Sequence, residues 1–244
     1  MDDLIKAIEK RRSRRKYLKT AMDPAAAESL QALIAELGGN GDRSIRLVLD
    51  DGDAFSGLRK SYGMLTGVQN YVALVGDKSD LIATEKLGYY GELVVLRATS
   101  LGLGTCWVGG TFDRSSCKID LIKDESIICV ITVGHVPPEM SGREKFIYRV
   151  THRKTKTIDD MYTSDVIPPN WFLAGMKAVQ KAPSAVNRQP VMFSYHDGIV
   201  TASVKDTAEE GYALDLGIAK LHFELGSGGG EWSFGNGAEF VRNR

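Results

Sequence analysis

Apolar residues recur along this chain at two spacings, and the change from one to the other divides it into elements. Leu4, Ile5 and Ile8 fall at helical spacing just before a basic run, which predicts a short amphipathic helix. Pro24 opens a second helix, whose Leu30, Leu33, Ile34 and Leu37 share a face over residues 28–37. Gly38, Gly39, Asn40 and Gly41 stop it. Strands are predicted at 45–49, closed by Asp50, Asp51 and Gly52, and at 71–75. The longest helix spans 82–101 and ends at Gly102-Leu103-Gly104. A short strand at 105–108 meets Gly109-Gly110, and the unbroken apolar run 127–133 reads as a buried strand. Pro137-Pro138 closes this part of the chain.

The order then returns in a looser form. A helix is predicted at 171–181, strands at 191–195 and 199–204 around the turn His196-Asp197-Gly198, a long helix at 208–225, and a short strand at 231–234. Residues 39–48 lie opposite 184–193 without gaps, with Arg43 facing Arg188. The helix end Leu101-Gly102-Leu103-Gly104 corresponds to Leu225-Gly226-Ser227-Gly228. These matches predict an internal duplication, although two unrelated helix–strand units also match by chance. Residues 162–170, with Pro168-Pro169, read as a linker. Trp232 and Phe234 read as exposed apolar residues able to drive pairing.

Composition narrows the function classes. The chain has 244 residues, 43% hydrophobic and 25% charged, enough for a full core without covalent staples. Its 31 Lys+Arg balance 31 Asp+Glu, so broad attraction to nucleic acid is not expected and an anion site has to be local. Cys106, Cys117 and Cys129 show no C-x-x-C spacing and the histidines no ligand spacing, so no metal is expected. No stretch reads as a leader or a membrane span, and the expectation is a soluble, cytoplasmic protein with no membrane partner.

Four segments carry candidate chemistry. In Arg11-Arg12-Ser13-Arg14-Arg15, forked guanidinium donors and a hydroxyl suit a phosphate monoester, and helical spacing would place Arg11 and Arg15 on one face. A solvated basic helix end and a nucleic-acid patch are the plainer readings. In residues 181–190, Pro183 and Pro190 bracket Ser184, Asn187, Arg188 and Gln189, polar groups that suit the edge of a heterocycle; a plain turn is the alternative. Val108-Gly109-Gly110 follows a strand, and its glycines let backbone approach a flat ligand, or mark only a bulge. His152-Arg153-Lys154-Thr155-Lys156 is basic and follows the last predicted strand of the first half.

Together these segments resemble the FMN-dependent nitroreductase family, whose members pair an Arg-Arg-Ser-x-Arg segment with an Ala-Pro-Ser-x-x-Asn-x-Gln-Pro loop. They also carry a long helix ending Gly-Leu-Gly before a strand and a Gly-rich turn. Here the loop is Ala182 to Pro190 and the helix end and turn run from Leu101 to Gly110. The order departs from the family's: the slot after the second helix, Leu37 to Arg43, lacks the Pro, Ser and Gln, and the intact loop stands in the second half. The resemblance is closest to a subgroup with two fused protomer-like halves in one chain.

The resemblance implies an α+β, nitroreductase-like fold with antiparallel-rich central sheets flanked by helices and an internal duplication resembling a fused dimer. Residues 1–165 and 166–244 would form the two halves, with one composite FMN site between them. It implies that Arg11, Ser13 and Arg15, with Arg12 as a weaker candidate, hold the FMN phosphate, aided by Arg153 and Lys154. Val108, Gly109 and Gly110 would face flavin N5 and O4, Tyr62 and Gly63 its pyrimidine edge, and Pro183, Ser184 and Asn187 the ring from the second half. NADH or NADPH would supply hydride to a small-molecule electron acceptor, and no catalytic side chain is required. Cys106 reads as a buried small apolar residue. Flavin-fragmenting or dehalogenating chemistry on the same fold, and FMN binding without turnover, are the alternatives. The assembly would be a monomeric pseudo-dimer or a homodimer.

Overall fold

The computed structural model describes residues 2–38, 44–56, 63–152, 155–207 and 211–243. In chain order its elements are α1 (Asp2–Lys10), α2 (Pro24–Gly38), β1 (Ile45–Val48), β2 (Asn70–Gly76), α3 (Leu81–Ser100), β3 (Gly104–Val108), β4 (Ser126–Gly134) and α4 (Gly142–Thr151). There follow β5 (Tyr162–Ser164), α5 (Asn170–Val179), β6 (Val191–His196), β7 (Ile199–Val204), α6 (Tyr212–Ser227), β8 (Gly230–Trp232) and β9 (Glu239–Arg242). Contacts divide the chain into two interleaved units. One comprises Met1–Glu9, Leu81–Leu93 and Thr151–Arg244; the other comprises Lys10–Asp80 and Val94–Val150.

In the unit of residues 10–80 and 94–150, four strands pair antiparallel in the order β1-β2-β4-β3. The central pair are β2 and β4, whose residues are buried almost without alternation, as expected of a sheet covered on both faces. Tyr71 faces Thr132 and Val72 faces Ile131 in their register. Tyr71, Ala73, Val75, Cys106, Val108 and Val130 form much of the core on one side. At one edge of the sheet is β3, so its outer backbone groups are open to another segment.

Two expectations are corrected in this region. The basic run is not helical. Its residues leave α1 at Lys10 and run extended, bridging Ser13 to Thr105 and Lys16 to Thr66 in parallel. After Pro137-Pro138 the chain forms α4, started by a reciprocal capping box. The Glu144 amide donates to Ser141 Oγ at 3.3 Å and the Ser141 amide to Glu144 Oε2 at 2.7 Å. His152 therefore follows a helix rather than a strand. The helix stop at 39–41 lies outside the described residues.

In the unit of residues 1–9, 81–93 and 151–244, five strands are ordered β5-β6-β7-β9-β8, all antiparallel except β5, which runs parallel to β6. Asp197 and Gly198 at φ 51° and 80° make the tight β6–β7 turn that the sequence signalled. Residues 162–164 are a paired strand, so the expected linker is structured there; β9 is likewise unforeseen. Packed around Phe223 are Phe172, Phe193, Trp232 and Phe240, with ring centroids 5.1 to 5.7 Å from it. Trp232 is therefore a core residue, and its Nε1 donates to the Lys220 carbonyl at 2.9 Å. The Phe234 ring packs edge-on against Tyr89 at 5.7 Å, so neither residue is the free pairing surface expected.

Within this unit, residues 81–93 of α3 cross α6 closely enough that only glycine fits. A Cβ on Gly217 would sit 1.9 Å from the Glu85 carbonyl oxygen, and one on Gly88 2.2 Å from that of Leu214. Beside the crossing, fully buried Lys220 pairs with Glu85 and donates to the carbonyls of Ser233 and Gly235, both at 3.0 Å. His222 Nδ1 donates to the Ala178 carbonyl at 3.0 Å, and its Nε2 lies 2.9 Å from Glu92 Oε1. Such pairs require every partner in place, because one deletion leaves a buried charge alone.

Backbone contact leaves no flexible atom to move aside. Gly217→Ala is expected to cost about 2–3 kcal/mol or more, lowering the melting temperature clearly. Gly142→Ala, whose added Cβ meets nothing within 4 Å, is expected to leave it unchanged. Equal melting temperatures for both variants would contradict the close crossing.

Candidate functional site

The expected phosphate segment lies along the open edge of β3. The Arg14 amide donates to the Thr105 carbonyl at 2.8 Å, the Tyr17 amide to Thr66 at 2.8 Å, and the Thr66 amide returns to Arg15 at 2.9 Å. In an extended chain successive side chains alternate, so Arg11, Ser13 and Arg15 share one direction and Arg14 takes the other. Arg14 is buried. Its Nε donates to Glu144 Oε1 at 3.2 Å, and its Nη2 to the carbonyls of Pro137 at 2.9 Å and Glu139 at 3.2 Å.

Glu144, at 1% exposure, is the acceptor on which this segment turns. Its Oε1 also accepts the amides of Arg15 at 2.7 Å and Lys16 at 3.2 Å. Burial alone would raise its pKa, but the amides of Arg15 and Ser141, the Ser141 hydroxyl and the Lys16 amide outweigh it and bring it down to about 2. Tyr17 locks the other side: its hydroxyl donates to the Arg14 carbonyl at 2.9 Å and lies 2.7 Å from Thr132 Oγ1.

On the opposite side of the segment lie Arg11, Ser13 and Arg15, and Cys106 feels the charges of both arginines. Burial pushes that thiol up, the Arg15 and Arg11 charges and a hydrogen bond from Ser13 pull the other way, and the Glu144 charge adds to the rise. A cationic, donor-rich corner thus forms against β3, suited to an anion. Cys106 is 4% exposed, as expected of a small core residue. Arg12 is exposed and donates to the Arg11 carbonyl at 2.7 Å, apart from this set.

β3 then leads into Gly109-Gly110, an exposed bend. Arg114 braces it, with Nη2 donating to the Gly109 carbonyl at 2.6 Å and Nε to the Ile127 carbonyl at 3.3 Å. A Cβ on Gly109 or Gly110 would meet nothing within 4 Å, so the backbone there is open to a flat group. Val108 points its side chain into the core, which leaves only its backbone for a ligand. Gly63 is described, in the left-handed region at φ 63°, whereas Tyr62, Arg153 and Lys154 lie outside the described residues.

In the other unit, residues 181–190 form a strained polar loop. Val186, Asn187 and Gln189 all have positive φ, between 46° and 58°. Gln189, buried at 4%, pins the loop: its Oε1 accepts the Lys156 amide at 2.8 Å and its Nε2 donates to the Gln180 carbonyl at 3.1 Å. Ser184 Oγ accepts the Gln189 amide at 2.9 Å, and the Ala185 amide reaches both Asp215 carboxylate oxygens at 3.3 Å. Pro183, Ser184 and Asn187 are half-buried at its surface, with Asn187 Nδ2 donating to Thr155 Oγ1 at 3.2 Å.

Sequence reasoning missed Arg14 and Glu144. The signal for Glu144 was present in Ser141-x-x-Glu144, the capping box. Nothing local marks its reach across 130 residues to Arg14. The bracing role of Arg114 had no sequence signal either.

A family model described as "Putative TM nitroreductase" matches residues 3–227. Among solved structures, a nitroreductase described as putative from Thermotoga maritima MSB8 is 20% identical with a TM-score of 0.67, covering 99% of this chain and 94% of that one. An FMN-dependent nitroreductase from Clostridium difficile R20291 is 22% identical with a TM-score of 0.44, covering 56% of this chain and 90% of that one. A nitroreductase family protein from Clostridium novyi NT is 17% identical with a TM-score of 0.43, covering 55% and 86% respectively. No curated protein matches the sequence. The α+β architecture, with its antiparallel-rich sheets flanked by helices, is therefore the nitroreductase-like fold expected. Among the described residues no helix is long and apolar enough to cross a membrane.

The depressed Glu144 carboxyl has a consequence for stability. Its folded pKa of about 2 lies below the ordinary 4.5, so the ionised form stabilises the fold above about pH 4.5, and that contribution is lost as pH falls towards 2. At about 1.4 kcal/mol per pKa unit the contribution is roughly 3 kcal/mol. Urea unfolding between pH 6 and 2 is expected to show a shallower acid limb for Glu144→Gln than for the wild type. Parallel limbs would mean that the carboxylate is not held as described.

Proposed function

This chain belongs to the nitroreductase family described as "Putative TM nitroreductase", and on that basis we propose that it is an FMN-dependent oxidoreductase. In this reading NADH or NADPH is the hydride donor, and nitroaromatic, quinone or flavin-like compounds are the acceptors. The observation that carries the reading is the extended course of the segment along β3, which puts Arg11, Ser13 and Arg15 on one side and turns Arg14 inward.

The residues present fit FMN. A phosphate monoester carries nearly two negative charges and three strong acceptor oxygens, and two guanidinium groups with a hydroxyl match it in charge and in donors. The open backbone of Gly109 and Gly110 suits the face or edge of a planar ring, with amides available to its heteroatoms. Gly63, Pro183, Ser184 and Asn187, together with Tyr62, Arg153 and Lys154, enter this reading from the resemblance alone.

Bound FMN would supply the two-electron carriage between donor and acceptor. The work left to the chain is to bind, to orient and to exclude water. Arg11 and Arg15 neutralise the anionic tail, Ser13 adds a neutral donor, and Arg114 keeps the Gly109 carbonyl turned to itself. No side chain of the chain is required to exchange a proton. Cys106 is buried, with its pKa raised by that burial, and is given no nucleophilic role in this reading.

The purified protein is expected to be yellow, with a chromophore that co-elutes with FMN after heat release. A colourless protein that takes up no added FMN would sink the reading. Rapid mixing with NADH and with NADPH is expected to bleach the flavin with at least one of them. A bound flavin bleached by neither would remove the nicotinamide-dependent activity and leave flavin binding alone.

A further inference from the structure

We propose that Glu144 is a positioning residue for anion recognition, one that commits the 11–16 segment to binding phosphate through the side chains of Arg11, Ser13 and Arg15 rather than through the amides of residues 14–17 or the Arg14 side chain. The proposal rests on the FMN reading above. A carboxylate beside an anion site is at first sight misplaced, since like charges repel. Its hydrogen bonds resolve the difficulty.

Anion sites commonly use free backbone amides, at helix N-termini or in successive-amide concavities. Here the amides of residues 14–17 are taken. Arg14 N donates to Thr105, Arg15 N and Lys16 N to Glu144, and Tyr17 N to Thr66, at 2.7 to 3.2 Å. The Arg14 guanidinium is taken as well, by Glu144 and by the carbonyls of Pro137 and Glu139. Glu144 in turn has both oxygens occupied, Oε1 by Arg14 and the two amides and Oε2 by Ser141 N. Its pairing with buried Arg14 offsets part of its charge; the rest is felt at Cys106, against the opposing charges of Arg15 and Arg11.

The carboxylate also sets direction. By holding two consecutive amides and the side chain of Arg14 just before them, it fixes the backbone so that Arg14 faces inward and Arg11, Ser13 and Arg15 take the other side. It does so from the first turn of α4, which ties that helix to the segment. Without the carboxylate, Arg14 and two amides lose their acceptor, and the segment has no reason to keep this alternation.

The experiment compares FMN with riboflavin, which differ by the phosphate alone. Dissociation constants for both are measured by flavin fluorescence on wild type, Glu144→Gln and Arg15→Ala, well below each protein's melting temperature. The wild type is expected to prefer FMN. Glu144→Gln is expected to lose about tenfold or more of that preference, the scale of one charge-assisted hydrogen bond, with riboflavin affinity unchanged, as is Arg15→Ala. If Glu144→Gln loses affinity for both flavins alike, or keeps the full FMN preference, the positioning role is overturned. If the wild type binds neither flavin, the FMN reading itself fails, and the proposal with it. Should Glu144→Gln not fold, Glu144→Asp, which keeps the charge but shortens the reach, is read by the same ratio.

Discussion

A single buried carboxylate gathers the chemistry of the first sheet. Glu144 takes Arg14 Nε, two consecutive amides and the cap of its own helix, and through them converts a run of four arginines into an ordered arrangement. A run of like charges on a helix end would repel itself and spread into solvent. Drawn out along the edge of β3, with one arginine neutralised inside, the same run becomes a directional set of donors. The strand edge contributes as much as the carboxylate. It offers the Thr105 carbonyl that an interior strand would have spent on a neighbour.

The other unit is held by a different constraint, the contact between residues 81–93 of α3 and α6. Glycines let the backbones approach, and the approach buries Glu85, Lys220, Glu92 and His222 beside them. Hydrophobic burial would favour a crossing of this kind in many registers, whereas the buried pairs accept only one. Lys220 extends that selection to the C-terminal turn by capturing the carbonyls of Ser233 and Gly235, which lie between β8 and β9. The glycines at the end of α6, matched in sequence to the helix end at residues 101–104, have structural work of their own. Gly226 faces Ala178 Cβ at 2.6 Å from its would-be Cβ, and Gly228 closes the helix at φ 91°.

Much of the fold was legible because burial was periodic. The unbroken run 127–133, the helix at 82–101 and the Asp197-Gly198 turn each carry a local physical cause. The segment 11–16 was misread because helical spacing and extended alternation both bring arginines together, and only an acceptor 130 residues away distinguishes them. The short strands β5 and β9 have too few residues to show a period; their partners, Phe193 and Val200 among others, decide them. Trp232 looked exposed because its neighbours in sequence are glycine and charge, and it is buried by Phe223 and Phe240 from distant elements. Of the candidate site, the sequence offered the side-chain types but not the side of the segment on which each lies. The duplication suggested by residues 39–48 and 184–193 remains a proposal, since residues 39–43 lie outside the described part and the two units are interleaved along the chain.

The central claim is that side chains on one side of this segment, and not the amides of residues 14–17 or the Arg14 side chain, meet the phosphate. A crystal structure of the protein with FMN tests it most directly. The account predicts phosphate oxygens at hydrogen-bond distance from Arg11, Ser13 and Arg15, with Arg14 still on Glu144. A phosphate held by Arg14, with Glu144 released, or a flavin bound away from β3, would contradict it.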